Sequence, residues 1–233
     1  KPCTVLMKRS RRSTSNIDTE LKLKQLVKGV AKVDDLLKAA EAIESFLIDF
    51  RRDLHQYPEL SLEEKETSAK VASELEKLGL PVKTKVGGYG VVADLVGDLP
   101  GPKVALRADM DALPIHEETD LPFKSKRDGI MHACGHDAHT TILLGAARLL
   151  VERRAQLAGT IRFIFQSAEE LNDGAKLMVN DGVLEGIEEI YGLHNLPTLP
   201  AGMARTRYGS LMGSVDRHED EYEGEDGHGA LPA

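Results

Sequence analysis

The chain has no tryptophan and few other aromatic residues, five Phe and five Tyr in 233. That scarcity disfavours a base-stacking platform for single-stranded nucleic acid. Basic residues are outnumbered, 30 Lys and Arg against 38 Asp and Glu, for a net charge of −8. A general nucleic-acid binder would normally present a basic field, so no nucleic-acid partner is expected. Only two cysteines occur, Cys3 and Cys134, far apart in sequence. They make no disulfide framework, and a reducing, cytoplasmic compartment is the simpler reading. Long apolar runs are missing as well. The longest, 142–151, contains Gly145 and Arg148 and is too short to span a bilayer, so no membrane partner is expected. Lys8, Arg9, Arg11 and Arg12 are not followed by an apolar stretch, and no secretory signal is visible. The first residue is Lys1 rather than Met, so the numbering is expected to begin inside a longer chain.

What is present is an ordinary globular composition, 41% hydrophobic, long enough for one substantial core. Residues 1–34 read as a loose, polar tail. From 35 to 55 apolar residues recur at helical spacing (Leu36, Ala40, Ile43, Leu47, Phe50, Leu54) until Pro58 stops them. Ser61 followed by Glu64 has the form of a capping box, opening a helix that runs to Gly79. Strands are expected over 91–96, 104–108, 161–166 and 189–193. A helix capped by Asp137 is expected to run to 153, burying Ile142, Leu143, Ala146, Leu149 and Leu150, and a shorter one over 175–181. Strands alternating with helices predict an α/β fold, a sheet layered by helices. No internal repeat is visible. After Gly213 the texture changes, and 216–226 is crowded with acids.

The residues with chemical potential fall just beyond the expected strands or at a helix start. Asp109 and Asp111 follow one strand, and Glu169 and Glu170 another. His194 follows a third, and Cys134, His136 and His139 lead into the long helix. Each has an ordinary explanation alone. Paired glutamates are usually a solvated loop, a lone histidine is usually a loop residue, and a lone cysteine is usually a small buried hydrophobe. Cys134-Gly135-His136 is sharper, because Cys and His two residues apart can aim at one ion. A helix start would also favour the thiolate. In open α/β sheets ligands gather outside the carboxyl ends of strands. Four segments bringing His, Cys, Asp and Glu to one edge is the pattern of a metal site. Hydrolysis at such a site also needs a base, and two neighbouring glutamates can divide the labour, one binding metal and the other moving the proton.

The stretches Leu106-Arg107-Ala108-Asp109-Met110-Asp111-Ala112-Leu113-Pro114 and Met131-His132-Ala133-Cys134-Gly135-His136-Asp137-Ala138-His139 closely resemble the amidohydrolase family of metallopeptidases. That family includes hippurate hydrolase, the auxin–amino acid conjugate hydrolases and certain thermostable carboxypeptidases. Arg52-Asp53-Leu54-His55-Gln56-Tyr57-Pro58-Glu59-Leu60, Gln166-Ser167-Ala168-Glu169-Glu170, Gly192-Leu193-His194-Asn195 and Gly227-His228-Gly229-Ala230-Leu231-Pro232 fit the same pattern.

The resemblance implies a layered α/β/α catalytic domain over 35–213 holding two divalent metal ions, and the start of a lid and dimerisation domain over 214–233. It implies Cys134, His136, Glu170 and His194 as metal ligands, Glu169 as general base, and Asp111 as an acidic residue supporting the metals. His228 matches a lid histidine that reaches a dimer partner's active site and stabilises the tetrahedral intermediate. The implied reaction is hydrolysis of an N-acyl amino acid or small peptide by a homodimer. Zinc is the metal if the thiolate dominates, while manganese, cobalt or nickel would also suit imidazole and carboxylate.

Two departures stand out: Ser167 replaces the family's usual proline, and Glu219-Asp220-Glu221-Tyr222-Glu223 breaks an alternating strand pattern. The resemblance also places a further histidine ligand and the rest of the lid beyond Ala233, so this stretch alone is expected to be nearly inactive. A second reading is a non-catalytic relative serving as a binding or regulatory subunit. A third, an unrelated structural zinc domain, leaves the paired glutamates unexplained.

Overall fold

A computed structural model describes residues 5–6, 8–9, 33–200 and 202–206. Cys3, the acidic stretch 216–226, His228 and the expected lid segment 214–233 lie outside the described residues.

Two two-residue strands come first, β1 (Val5–Leu6) and β2 (Lys8–Arg9). Helices α1 (Val33–Ala42), α2 (Glu44–Gln56) and α3 (Lys65–Lys77) come next. Then come β3 (Val82–Val86), β4 (Gly90–Val96), β5 (Leu99–Asp109), α4 (His136–Val151) and β6 (Ala158–Gln166). Helix α5 (Gly174–Asn180), β7 (Glu189–Gly192) and β8 (Ala204–Arg205) end the described chain.

The main sheet has the order β2-β7-β5-β6-β4-β3. β5 runs parallel to both β6 and β7, while β4 is antiparallel to β6 and to β3. One face is covered by α2, α3 and α4, whose Phe46, Val71, Leu75, Leu143, Leu144 and Ala147 pack on Val91, Ala93, Leu95, Phe163 and Phe165. The other face packs Val92, Ala105 and Ile164 against Met178 of α5 and Val183. The layered α/β/α arrangement matches the expectation, and its sheet is mixed.

The register sets the site. Asp109 pairs with Gln166, and Arg107 pairs with Gly192. The carboxyl ends of β5 and β6 therefore finish level, β7 ends opposite Arg107, and the loops leaving them open on the same edge.

Several local expectations fail, and at the two expected caps a distant partner overrides the local signal. Ser61 and Glu64 form no capping box. Ser61 donates instead to Asp111 (2.6 Å), and Glu64, fully buried, accepts from Ser167 Oγ (2.6 Å) and the Ala168 N–H (2.7 Å). Burial pushes the Glu64 carboxyl up from its ordinary value, against the pull of those hydrogen bonds. The first turn of α3 is satisfied by Glu59, whose carboxylate accepts from the N–H groups of Glu66 (3.0 Å) and Thr67 (2.7 Å).

Asp137 is not a cap either, for Gly135 holds that position and Asp137 lies inside the first turn of α4. The single helix expected over 35–55 is two, because Ile43 leaves helical geometry (φ −107°, ψ 9°). The buried stripe of α4 runs through Leu143, Leu144 and Ala147, leaving Ile142, Ala146, Leu149 and Leu150 only partly covered. Strand β3 is an addition to the expected set, although its alternating Val-Lys-Thr-Lys-Val carries the signal. It is an edge strand, and its exposed lysines suit that place. The tail expected to be loose contributes β2, antiparallel to β7, and β1, parallel to β8.

Leu144 is fully buried between α4 and the sheet. Leu144→Ala is expected to cost about 2–5 kcal/mol of stability, read as a lowered urea midpoint at unchanged slope.

Candidate metal centre

Three turns deliver the site. Beyond β5, Asp111 is buried, and both of its oxygens are engaged. Oδ2 accepts from Ser61 Oγ (2.6 Å) and the Glu170 N–H (3.0 Å), and Oδ1 faces His136 Nδ1 (3.1 Å). Beyond β6, Ala168 adopts a left-handed conformation (φ 53°) that turns the chain so that Glu169 and Glu170 face back over the strand ends. Glu64 holds that turn through Ser167 and Ala168. Between Cys134 and His136, Gly135 is also left-handed (φ 87°), and a Cβ there would lie 2.3 Å from Asn195 Nδ2. Only glycine meets both conditions.

The donor atoms converge. His136, with no exposed surface, has Nε2 3.6 Å from Glu170 Oε1, 3.9 Å from Glu169 Oε2 and 3.8 Å from Asp109 Oδ2. Cys134 Sγ lies 3.3 Å from His194 Nε2. Two overlapping groups thus share His136: Cys134, His136 and His194, and His136, Glu169 and Glu170. A third group, Asp109, His136 and His139, lies deeper. Within the centre, His136 Nε2 and Glu170 Oε1 are both buried without a hydrogen-bond partner. Buried polar atoms are rarely left so, and two facing each other at this separation fit a cation between them.

The electrostatics agree. Burial opposes a charge on His136, but Asp109 and Asp111 outweigh it and hold its pKa well above the ordinary value. The field that favours a proton on this ring favours a divalent ion there too. A carboxylate only accepts, so Asp111 keeps a proton on Nδ1, and Nε2, which faces the glutamates, is the nitrogen that a metal would take. Asp109 stays well below the usual carboxylate range despite its burial, through His136, Arg107 and His139. Asp111 is lowered likewise by His136. Burial and the charge of Asp109 push Glu169 up, which suits a group that must both take and return a proton. Burial also pushes the Cys134 thiol up, with Glu170 adding to it and His136 opposing it. The helix start was expected to favour a thiolate, but burial is the larger effect.

The structure therefore gathers Cys134, His136, Glu169, Glu170, His194 and Asp111 at one edge, while His228 falls outside the described residues. Sequence reasoning assigns no role to a buried network behind them. His55 Nδ1 lies 2.7 Å from Asp137, its Nε2 lies 3.3 Å from Glu117, and Arg51 also reaches Asp137 (2.9 Å). Burial would raise the Asp137 carboxyl, yet His55, His132 and Arg51 bring it down to about 2. The sequence signal is Asp137 itself, adjacent to His136 but with the look of a helix cap.

This geometry has counterparts among known proteins. The family model for peptidase family M20/M25/M40 matches residues 105–232, more than half of the chain. The chain belongs to that family. It is similar to N-acetylcysteine deacetylase of Bacillus subtilis, 50% identical over 200 residues that cover 83% of this chain and 51% of the relative. Thermostable carboxypeptidase 1 of Saccharolobus solfataricus is 47% identical, covering 86% and 52%. An IAA-amino acid hydrolase of Arabidopsis thaliana is 49% identical, covering 80% and 43%. The chain spans about half the length of the curated relatives it matches. Among solved structures, a dinuclear metal-binding M20 peptidase of Bacillus subtilis matches with a TM-score of 0.66 at 50% identity, covering 69% of this chain and 45% of that one.

His132 generates a pH prediction. It is buried, neither ring nitrogen has a partner, and burial lowers its pKa from 6.5 to about 4, against the pull of Asp137. The folded value lies below the unfolded one. As pH falls from 6.5 through 4, the unfolded chain takes a proton that the folded chain refuses, and stability is lost. His132→Leu removes that loss, so its unfolding free energy in urea is expected to fall less than that of the unaltered protein over this window, by on the order of 2–3 kcal/mol. Both are measured with metal chelated, and the opposite contribution of His55 is common to both. An equal fall in the two proteins would mean that His132 is charged when folded.

Proposed function

We propose that this chain carries the metal centre of an amidohydrolase that cleaves the amide bond of N-acyl amino acids or small peptides. The observation that carries the reading is the pair of buried, partnerless atoms His136 Nε2 and Glu170 Oε1 facing each other at 3.6 Å, flanked by Cys134 and His194. Cys134, His136, Glu170 and His194 are the residues that would hold two divalent ions. Zinc suits the thiolate, and cobalt, nickel or manganese suits the rest of the donor set. Bound ions would lower the pKa of water and polarise the scissile carbonyl. Glu169 takes the water's proton and returns it to the leaving amine. Its raised pKa and its place 3.9 Å from His136 Nε2, without a fixed partner there, suit both halves of that task. Asp111 orients His136 and pins the Glu170 backbone.

The names of the relatives support the substrate class, since a deacetylase of N-acetylcysteine, a carboxypeptidase and a hydrolase of IAA–amino acid conjugates all act on amide bonds. On this reading 35–213 is catalytic, 214–233 begins a lid, and the protein works as a homodimer in which His228 serves a neighbouring site. A thiol ligand suits the reducing cytoplasm. No helix among the described residues is long and apolar enough to cross a membrane. The preserved donor set argues against a purely regulatory relative.

The paired glutamates test the assignment. Glu169→Gln is expected to keep its metal and lose about 10²–10⁴ in kcat, because only proton transfer is removed. Glu170→Gln is expected to lose metal as well, read by elemental analysis after mild dialysis. The reverse pattern would exchange the two roles. A Cys134→Ser, His136→Ala double variant that keeps its full metal content would remove those residues from the centre.

A further inference from the structure

We propose that Asn195 and His139 form a latch that sets His194 against Cys134, making both positioning residues for the metal centre. The proposal rests on the metal reading above and assigns a part to residues that reading does not use.

His194 stands on the loop after the four-residue strand β7, whereas Cys134 stands on the turn before α4. Nothing local relates the two, yet Sγ and Nε2 meet at 3.3 Å. The link is the next residue. His194 Nδ1 donates to the Asn195 backbone carbonyl (2.6 Å), which leaves Nε2 free to face the sulfur. Asn195 is itself held from two sides. The Asn195 backbone N–H donates to His139 Nε2 (2.9 Å), and the Asn195 side-chain amide lies against the same ring nitrogen. Its amide lies where a Cβ of Gly135 would be, with Nδ2, Oδ1 and Cγ at 2.3, 2.6 and 2.8 Å from that point. The amide thus rests directly on the turn between Cys134 and His136.

His139 is anchored in turn. Its Nδ1 lies 2.6 Å from Asp109 at the end of β5, Arg107 grips the same carboxylate (2.6 Å), and Thr140 Oγ1 donates to the Asp109 carbonyl (2.7 Å). The His139 ring also packs edge-on against His194, with centroids 4.6 Å apart. With one nitrogen on a carboxylate and the other on an asparagine, His139 has none left for an ion. That separates it from the ligands, although it stands among them in the third donor group. The path Asp109–His139–Asn195–His194 therefore transmits the position of the central strand to a ligand on a loop. Groups that orient ligands in this way typically matter about 10–100-fold in metal affinity.

The test uses Co2+ bound to the full chain, with affinity measured by chelator competition and the thiolate-to-cobalt absorption band reporting Cys134. Asn195→Ala is expected to weaken Co2+ binding about 10–100-fold and to lower the band per bound ion. Asn195→Asp keeps the side-chain shape over the Gly135 turn, and is expected to retain most of both. It also gives the answer should the alanine variant fail to fold. A full-strength band at undiminished affinity in Asn195→Ala, or an aspartate variant as impaired as the alanine one, would overturn the latch and leave the metal centre standing. Absence of any thiolate band in the unaltered protein would overturn the metal reading, and the latch with it.

Discussion

The carboxylate of Asp111 ties together three parts of the chain that share no local structure. One oxygen takes the Ser61 hydroxyl and the Glu170 N–H, and the other faces His136 Nδ1. A buried carboxylate is costly unless its lone pairs are met by donors. Here they are met, so the charge survives burial and stays below its ordinary pKa. A retained charge at that point decides which nitrogen of His136 carries a proton. It also fixes the turn from which Glu170 projects.

The same logic recurs around the site. Glu64 steadies the Ser167–Ala168 turn, Asp109 anchors His139, and Asp137 joins α4 to His55 and Arg51 of α2. Each of these acids reaches a partner on another element. Such pairs contribute little net stability once desolvation is counted, but they accept few alternative geometries. The apolar clusters on the two faces of the sheet hold the layers together and tolerate exchange of similar side chains. Acidic groups with directional bonds do what those clusters cannot, which is to place single atoms.

Much of the fold is legible in the sequence. Hydrophobic periodicity locates α4, the helical stretch that becomes α1 and α2, and four of the strands, and the α/β layering comes from their alternation. The two failed caps share one cause. Ser61 with Glu64, and Asp137 before an apolar run, are sound local cap signals, yet each side chain is used by a partner far away in sequence. The cap that α3 does have comes from Glu59, outside the pattern that the local motif specifies. Strand β3 alternates as a strand should, but it carries only two apolar residues in five, and an exposed edge tolerates its lysines. At the site, the donor residues are legible as residue types at strand ends. Of the supporting residues, His139 stands out at the helix start, and His55 and Asn195 fall inside the family pattern, but nothing local gives the part each plays.

By itself the sequence determined the order of the elements, the family pattern and the kinds of atoms brought to one edge, because residue type and periodicity are local properties of the chain. Only the tertiary structure decided how those atoms face one another. The free nitrogen of His136, the approach of His194 to Cys134 and the partner of each buried acid all depend on contacts between remote segments. Hydrogen bonds are directional and short-ranged, so their pairing exists only once the strands are in register and the turns of Gly135 and Ala168 have closed.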